Sequence, residues 1–247
     1  MKPRRNMNPN MNPYADIDVA KLYASIDYTG TYFLAARDLA AIVERHLKSG
    51  RCLDFACGAG RSTRFLKRLG FDVTGVDISR PMLTAARERD PYGDYIEIGD
   101  GDLSALSGRR FDLIHSAFPY EYIASLERMV GILRQLSNLM EDDGIYICVE
   151  PTPELYTNEW TSLTNVGFDA NWKVRSGDKV EIAFRSQPSD PVTDILWTDG
   201  DYRAAFAAAG FTVDEMHRPL GRWEDGVDWI SEAAIAPFVI YVLSKHY

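Results

Sequence analysis

Two carboxylates and a glycine pair are spaced along this chain as a nucleoside-binding edge requires. The run Leu53-Asp54-Phe55-Ala56-Cys57-Gly58-Ala59-Gly60-Arg61-Ser62-Thr63 reads as a buried strand, a glycine turn and a helix start. Glycine lacks a Cβ, so the chain can turn tightly at Gly58 and Gly60 and leave bare backbone for a ligand. The next apolar run, Phe71-Asp72-Val73-Thr74-Gly75-Val76-Asp77, ends on an acid. It lies roughly 20 residues beyond the turn, the spacing of a carboxylate that accepts hydrogen bonds from ribose hydroxyls. A dinucleotide fingerprint carries a third glycine, whereas Thr63 stands at that place here. A carboxylate at Asp54 opposes a pyrophosphate and suits an ammonium group. Together these features point to a nucleoside with a positively charged amino-acid tail.

The elements that must position these residues alternate. Strands are expected at 51–56, 71–77, 95–98, 111–116 and 145–150, with helices at 61–69, 80–89 and 123–140 between them. Ser79 is the expected cap of the second of these helices, with Pro81 in its first turn. A turn is expected at Glu141-Asp142-Asp143-Gly144. Upstream, a short helix is expected at 16–27, and Thr31 as the N-cap of a longer one carrying Leu39, Val43 and Leu47 and stopped by Gly50. The β-α-β-α rhythm predicts an α/β, Rossmann-like doubly wound parallel sheet. Residues 151–197 break the rhythm. A hairpin is expected there, with 172–175 and 179–184 flanking Ser176-Gly177-Asp178, and a further strand at 192–197. Helix 202–209 and strands 211–216 and 238–244 follow. No helix-length segment separates the last two strands, so the final one is expected to be antiparallel.

The 247 residues fit one sizeable domain with a small insertion. The expected organisation is a disordered Asn/Pro-rich tail at 1–13, lid helices at 14–49, a core at 50–150, a β-rich cap at 151–197 and completion of the core at 198–247. Twenty-seven Lys and Arg against 36 Asp and Glu give a net charge of −9, which argues against nucleic acid and anionic membranes as partners. No apolar run approaches the roughly 20 residues of a spanning helix. Cys52, Cys57 and Cys148 are odd in number and lack metal spacing. Reduced cytoplasmic thiols are expected, and no metal site.

Asp54, Gly58 and Gly60 fill the pattern acid-x-x-x-Gly-x-Gly. In this the sequence resembles the class I S-adenosylmethionine-dependent methyltransferases, of the type acting on small molecules. The resemblance spans about residues 50–150 and 199–245 and leaves the 151–197 insertion as a variable substrate cap. It implies S-adenosylmethionine as cofactor and S-adenosylhomocysteine as product. It also implies that Asp54, Ala56, Gly58 and Gly60 wrap the methionine part and that Asp77 binds the ribose. In Gly99-Asp100-Gly101-Asp102-Leu103, the resemblance assigns Asp102 to the adenine amino group and the Leu103 backbone N–H to a ring nitrogen, with Asp100 a near competitor. Ile78 is placed to pack on the adenine face. Tyr14 and Tyr23 lie in a segment like the family's cofactor-closing N-terminal helix. Tyr32 is a further lid candidate, and Arg37 a partner for the cofactor carboxylate.

Ligands of open α/β sheets sit beyond the carboxyl ends of the strands. Ser116, Phe118 and Tyr120, at the exit of the fourth predicted strand, are therefore expected to face the methyl group or its acceptor. His115 is the candidate general base, with Tyr120 orienting the acceptor. Period-2 geometry opposes this, because it puts His115 and Ser116 on opposite faces of the sheet. Trp172 and Trp197 are candidates for an aromatic acceptor pocket, among Trp160, Phe168 and Trp223. The expected activity is methyl transfer to N or O of a small aromatic or heterocyclic metabolite. The alternatives are C-methylation, a non-methylating enzyme on the same fold, and a non-catalytic cofactor-binding regulator. A monomer and a homodimer are both open.

Overall fold

Amphipathic helices alternating with apolar strands must cover both faces of the sheet they connect. The computed structural model describes residues 28–246; the expected 16–27 helix, Tyr14 and Tyr23 lie outside them. The strands are β1 (Arg51–Phe55), β2 (Asp72–Asp77), β3 (Asp94–Glu97), β4 (Phe111–Ala117), β5 (Met140–Pro151), β6 (Leu163–Thr164), β7 (Lys179–Phe184), β8 (Val192–Ile195), β9 (Phe211–His217) and β10 (Phe238–Lys245). The α-helices are α1 (Leu39–His46), α2 (Arg61–Arg68), α3 (Arg80–Arg89), α4 (Leu126–Leu139) and α5 (Asp199–Ala208). Seven strands form one sheet in the order β3-β2-β1-β4-β5-β10-β9, and β6-β7-β8 form a second, antiparallel sheet. β1 to β5 pair in parallel, and β10 is antiparallel to both β5 and β9. The doubly wound sheet with an antiparallel last strand and a small β-rich insertion is thus present.

Strand alternation sends residues to two cores. Leu53, Phe55, Ile114 and Tyr146 pack with Met129, Leu133 and Leu136 of α4 and Phe206 of α5. Cys52, Leu113, Ile147 and Val149 face the other way, onto Leu39, Ile42 and Val43 of α1 and Leu66 of α2. Each large aliphatic side chain buried in these layers contributes about 1.5–3 kcal/mol. Capping sets the helix starts. The Ser79 side chain accepts from the Met82 N–H at 3.3 Å, and that of Ser125 from the Arg128 N–H at 3.3 Å. Thr198 and Asp201 form a capping box at α5.

Four local expectations fail. Thr31 caps no helix. Its hydroxyl donates to Glu232 Oε1 at 2.8 Å and accepts from the Ser162 N–H at 3.0 Å, and Gly30–Ala35 is a 3-10 stretch ahead of α1. The long helix begins at Leu126 rather than at residue 123, because Ser125 caps it. The expected turn at 141–144 is the irregular start of β5. Glu141 is paired with Arg51, and Asp142 with Arg110 and Lys245. Finally, β7 pairs with β8 and β6, not with 172–175. Gly177 does turn the chain, at φ 86°. Residues 169–173, however, are held in a 3-10 turn by Asn171, whose side chain bonds the Tyr156 and Glu181 carbonyls and the Glu181 N–H.

Candidate active site at the switch between two strands

The order β3-β2-β1-β4-β5 reverses direction between β1 and β4. The chain leaves these neighbours toward opposite faces, which opens a crevice beyond their carboxyl ends. Only two non-glycine residues among those described have positive φ. They are Ala56, at 58°, and Phe118, at 61°, and each immediately follows one of these two strands. Such conformations cost on the order of 1–3 kcal/mol and concentrate at ligand sites.

The loop after β1 is shaped by its glycines for two different reasons. A Cβ at Gly60, φ 72°, would lie 2.5 Å from the Tyr95 hydroxyl, so this glycine allows close packing. A Cβ at Gly58, φ 53°, would meet only the Met82 methyl at 3.7 Å, so this glycine lies bare toward open space. Asp77, at the end of β2, closes the other side. One oxygen accepts from the Gly58 N–H at 2.8 Å and the other from the Ser79 N–H at 2.7 Å. Burial pushes its pKa up to about 6, opposed by these N–H groups. A desolvated carboxylate beside a bare glycine backbone is suited to accept hydroxyl hydrogen bonds. These residues fit a ribose with an uncharged approach over Gly58.

Asp54 does not face a ligand. It is buried, and one oxygen accepts from the hydroxyls of Ser62 at 2.7 Å and Thr63 at 2.6 Å. The other lies 3.0 Å from His115 Nδ1. The acid in β1 therefore ties the first turn of α2 to β4. His115 shares its register and its face, as the two-residue period demands. At 1% exposure it is sealed from the crevice, so the general-base expectation fails.

Ser116 and Tyr120 are also buried, not site-facing. The Ser116 hydroxyl pairs with that of Tyr146 at 2.7 Å, and the Tyr120 hydroxyl lies 3.0 Å from the same group. Burial holds the Tyr120 phenol well above its ordinary range. Phe118 does sit at the exit, edge-on to Tyr32 at 5.9 Å and 4.9 Å from Phe238, while Tyr32 also stacks on Phe184 at 6.2 Å. The structure thus joins two expected residues, Tyr32 and Phe118, to two that sequence reasoning missed, Phe184 and Phe238. The missed pair come from the second sheet and the last strand.

Arg37 is turned to the far edge of the sheet. Its guanidinium bonds Asp38, Asp225 and the Leu220 carbonyl, in the segment following β9. That strand is separated from β1 by β4, β5 and β10, so Arg37 is no partner for a ligand there. Leu103 N–H is already donated to Gln135 Oε1 at 3.0 Å, and its side chain is in the core; it has no N–H to offer an adenine. Asp102 accepts from the Ser104 N–H at 2.8 Å, which holds its carboxyl below the ordinary range. Asp100 pairs with Arg128. Ile78 packs against the core beside Asp77. Trp172 is 68% exposed on the outside, and Trp197 is buried in the core with its Nε1 donating to the Ile123 carbonyl at 3.1 Å. Neither builds an acceptor pocket.

Comparison with known proteins agrees with this geometry. A family model described as a methyltransferase domain matches residues 29–216. A dTDP-3-amino-3,4,6-trideoxy-alpha-D-glucopyranose N,N-dimethyltransferase of Streptomyces venezuelae is 29% identical over 233 residues, covering 84% of this chain and 96% of the relative. A dTDP-3-amino-3,6-dideoxy-alpha-D-glucopyranose N,N-dimethyltransferase of Streptomyces fradiae is 31% identical over 241 residues, covering 85% and 91%. The fold is shared with the CcbJ methyltransferase of Streptomyces caelestis, at TM-score 0.67 and 15% identity over 98% of this chain and 100% of that one. No helix of the described residues is long and apolar enough to cross a membrane. The chain belongs to the class I S-adenosylmethionine-dependent methyltransferases.

Proposed function

We propose that this enzyme methylates the amine nitrogen of a small metabolite of the amino-sugar kind, such as a 3-amino-3-deoxyhexose carried on a nucleotide. The observation that carries this reading is that the side chains at the β4 exit expected to activate an acceptor do not reach the crevice: His115, Ser116 and Tyr120 are buried, with His115 Nδ1 held by Asp54 and both hydroxyls turned to Tyr146. A neutral amine already presents its lone pair and needs alignment rather than activation. Two relatives named for sugar N,N-dimethylation, matching nearly end to end, support the same acceptor class. The buried Trp197 and outward Trp172 leave the aromatic-acceptor reading without its residues.

S-adenosylmethionine supplies a methyl group activated by its sulfonium. The chain's own part is placement. Asp77 takes the ribose hydroxyls, and the strained Ala56 and the bare Gly58 backbone accommodate the amino-acid tail. Tyr32 and Phe118 exclude water and shape the approach of the acceptor, and the 151–197 segment supplies the outer wall of its pocket. The direct test is incubation with such an aminosugar nucleotide and S-adenosylmethionine, followed by mass spectrometry and NMR of the product. Methyl groups on nitrogen are expected. Methylation confined to a hydroxyl or a ring carbon would overturn the proposal.

A further inference from the structure

One buried carboxyl ties together three segments that border the aromatic cluster at the β4 exit. Glu232, in the connection between β9 and β10, is 0% exposed. Its Oε1 accepts from the Thr31 hydroxyl at 2.8 Å and from the Thr161 N–H at 2.8 Å, and its Oε2 from the Ile230 N–H at 3.0 Å. Its backbone carbonyl accepts from the Gly221 N–H at 2.8 Å. Thr31, also 0% exposed, and Ser162 bond each other twice. The Thr31 N–H donates to Ser162 Oγ at 3.1 Å, and the Ser162 N–H donates to Thr31 Oγ1 at 3.0 Å. Gly30 allows this approach, because at φ 53° a Cβ there would lie 2.0 Å from Ser162 Oγ.

Two rings of the aromatic cluster hang directly on this knot. Tyr32 follows Thr31 in the chain, and its ring lies 5.9 Å from Phe118, 6.2 Å from Phe184 and 5.7 Å from Phe238. Phe184 pairs across the small sheet with Leu163, the neighbour of Ser162, and the Arg185 N–H donates to the Ser162 carbonyl at 3.0 Å. An apolar side chain at position 232 would avoid the cost of desolvating a carboxyl. A buried polar network whose donors and acceptors are met specifies one arrangement instead, here the alignment of segments 131 and 201 residues apart in sequence. The N-terminal stretch has a second hold, on the cofactor side. The Arg61 guanidinium, at the start of α2, lies 4.2 Å from the centre of the Tyr28 ring and 6.0 Å from that of Tyr32. That contact involves neither Thr31 nor Glu232.

We infer that Glu232 is a positioning residue for methyl transfer. Acting through Thr31 and Thr161, it holds Tyr32 and Phe184 in place beside Phe118 and so fixes the wall that the acceptor approaches. The importance of that wall to the acceptor rests on the function proposed above; the hold on Tyr32 does not. A misplacement of about 1 Å costs on the order of 100-fold in rate, so a knot remote from the reacting atoms can govern turnover while the Arg61 contact and the cofactor loop stay as they are.

The test labels the protein with 3-fluorotyrosine and follows the fluorine NMR line of Tyr32, identified by its absence in Tyr32→Phe. Thr31→Val keeps the side-chain shape and removes the hydroxyl, and Glu232→Ala removes the acceptor. In both, the Tyr32 line should move toward that of free fluorotyrosine or split, and Thr31→Ser, which restores the hydroxyl, should return it. S-adenosylhomocysteine affinity, measured by calorimetry, should match the parent and reports that each variant is folded. Where Glu232→Ala fails that control, Thr31→Val decides. With a 3-amino-3-deoxyhexose nucleotide as acceptor, kcat/KM should fall about 10- to 100-fold in Thr31→Val and recover in Thr31→Ser. An unmoved Tyr32 line in Thr31→Val, turnover at the parent level with the line displaced, or a loss of cofactor affinity equal to the loss of turnover would overturn the inference. If the parent methylates no aminosugar nucleotide, the proposed acceptor fails and the fluorine line decides the hold of Glu232 on Tyr32. If it does methylate them and the line stays put, the acceptor stands and the positioning role fails.

Discussion

The two halves of the sheet's ligand edge are built by opposite means. At the β1 and β2 end, the functional parts are local: a glycine loop and one carboxylate whose two oxygens are both met by backbone N–H groups. At the β4 and β5 end they are assembled from afar. An aromatic cluster draws on residues 32, 118, 184 and 238, and Glu150 of β5 and Asp194 of β8 are buried with the neutral donors Cys148, Tyr202 and Tyr156. Both halves bury carboxyls without a cation among the described residues, but in the first half backbone N–H groups meet both oxygens of Asp77, whereas in the second Asp194 Oδ1 has no hydrogen-bond partner. The contrast teaches that the cofactor half is formed locally by backbone groups, whereas the far half depends on side chains that only the tertiary fold brings together, and buries carboxyls at a cost.

That cost makes the largest prediction. A carboxyl with a raised folded pKa keeps its proton in the folded state at a pH where the unfolded chain has lost it. Its contribution therefore favours folding at low pH, and stability falls as pH rises from the ordinary carboxylate range through the folded pKa. Glu150 at about 8, Asp194 at about 7 and Asp77 at about 6 all act in this sense. At about 1.4 kcal/mol per pKa unit, urea unfolding of the ligand-free protein should show a loss of several kcal/mol between about pH 5 and about pH 8. Glu150→Gln should flatten the slope. Stability that is constant or rises over this window would mean that these buried acids are already compensated.

His115 sharpens the comparison from the interior. As a strut between Asp54 and β4, it predicts that His115→Ala lowers stability by about 1–3 kcal/mol and leaves kcat near the parent value. A kcat loss on the order of 100-fold in a variant of normal stability would return it to the role of a base.

The effect at Ala56 is smaller. Its φ of 58° is natural only for glycine, so Ala56→Gly should raise stability by about 1 kcal/mol, read as a higher urea midpoint at unchanged slope. Destabilisation would mean that the alanine methyl is needed where it packs. The smallest expected effect is none: Trp172→Ala should leave the acceptor KM unchanged, because the side chain is 68% exposed and joins none of the aromatic contacts at the β4 exit.

How much of this was legible in the sequence follows the same division. The strand, glycine turn and distant acid are close in sequence, and their spacing alone places Gly58 and Asp77. The parallel order and the antiparallel last strand follow from element rhythm and connection length. Asp54 and His115 misled because residue type does not say which neighbour claims a side chain. Two hydroxyls at the start of α2 and a histidine on the next strand reach Asp54 before any ligand does. Leu103 failed for a similar reason, since Gln135 on α4 takes its N–H. Arg37 failed because Asp38, its neighbour in sequence, and Asp225 hold it at the other edge. The buried Glu150 and Asp194 carry no mutual spacing signal at all. The one clue was a lone Glu ending the apolar run 145–150, at the carboxyl end of a central strand.

The central claim is that the cofactor and acceptor halves are separable, with Asp77 serving one and the aromatic group around Tyr32, Phe118 and Phe184 the other. Calorimetry of S-adenosylhomocysteine binding to Asp77→Ala and to Phe184→Ala tests it most directly. Losing charge-assisted bonds worth about 1.5–3 kcal/mol, Asp77→Ala should bind roughly 10- to 150-fold more weakly, while Phe184→Ala should match the parent protein. Unchanged affinity in folded Asp77→Ala, or an equal loss in both variants, would contradict the division.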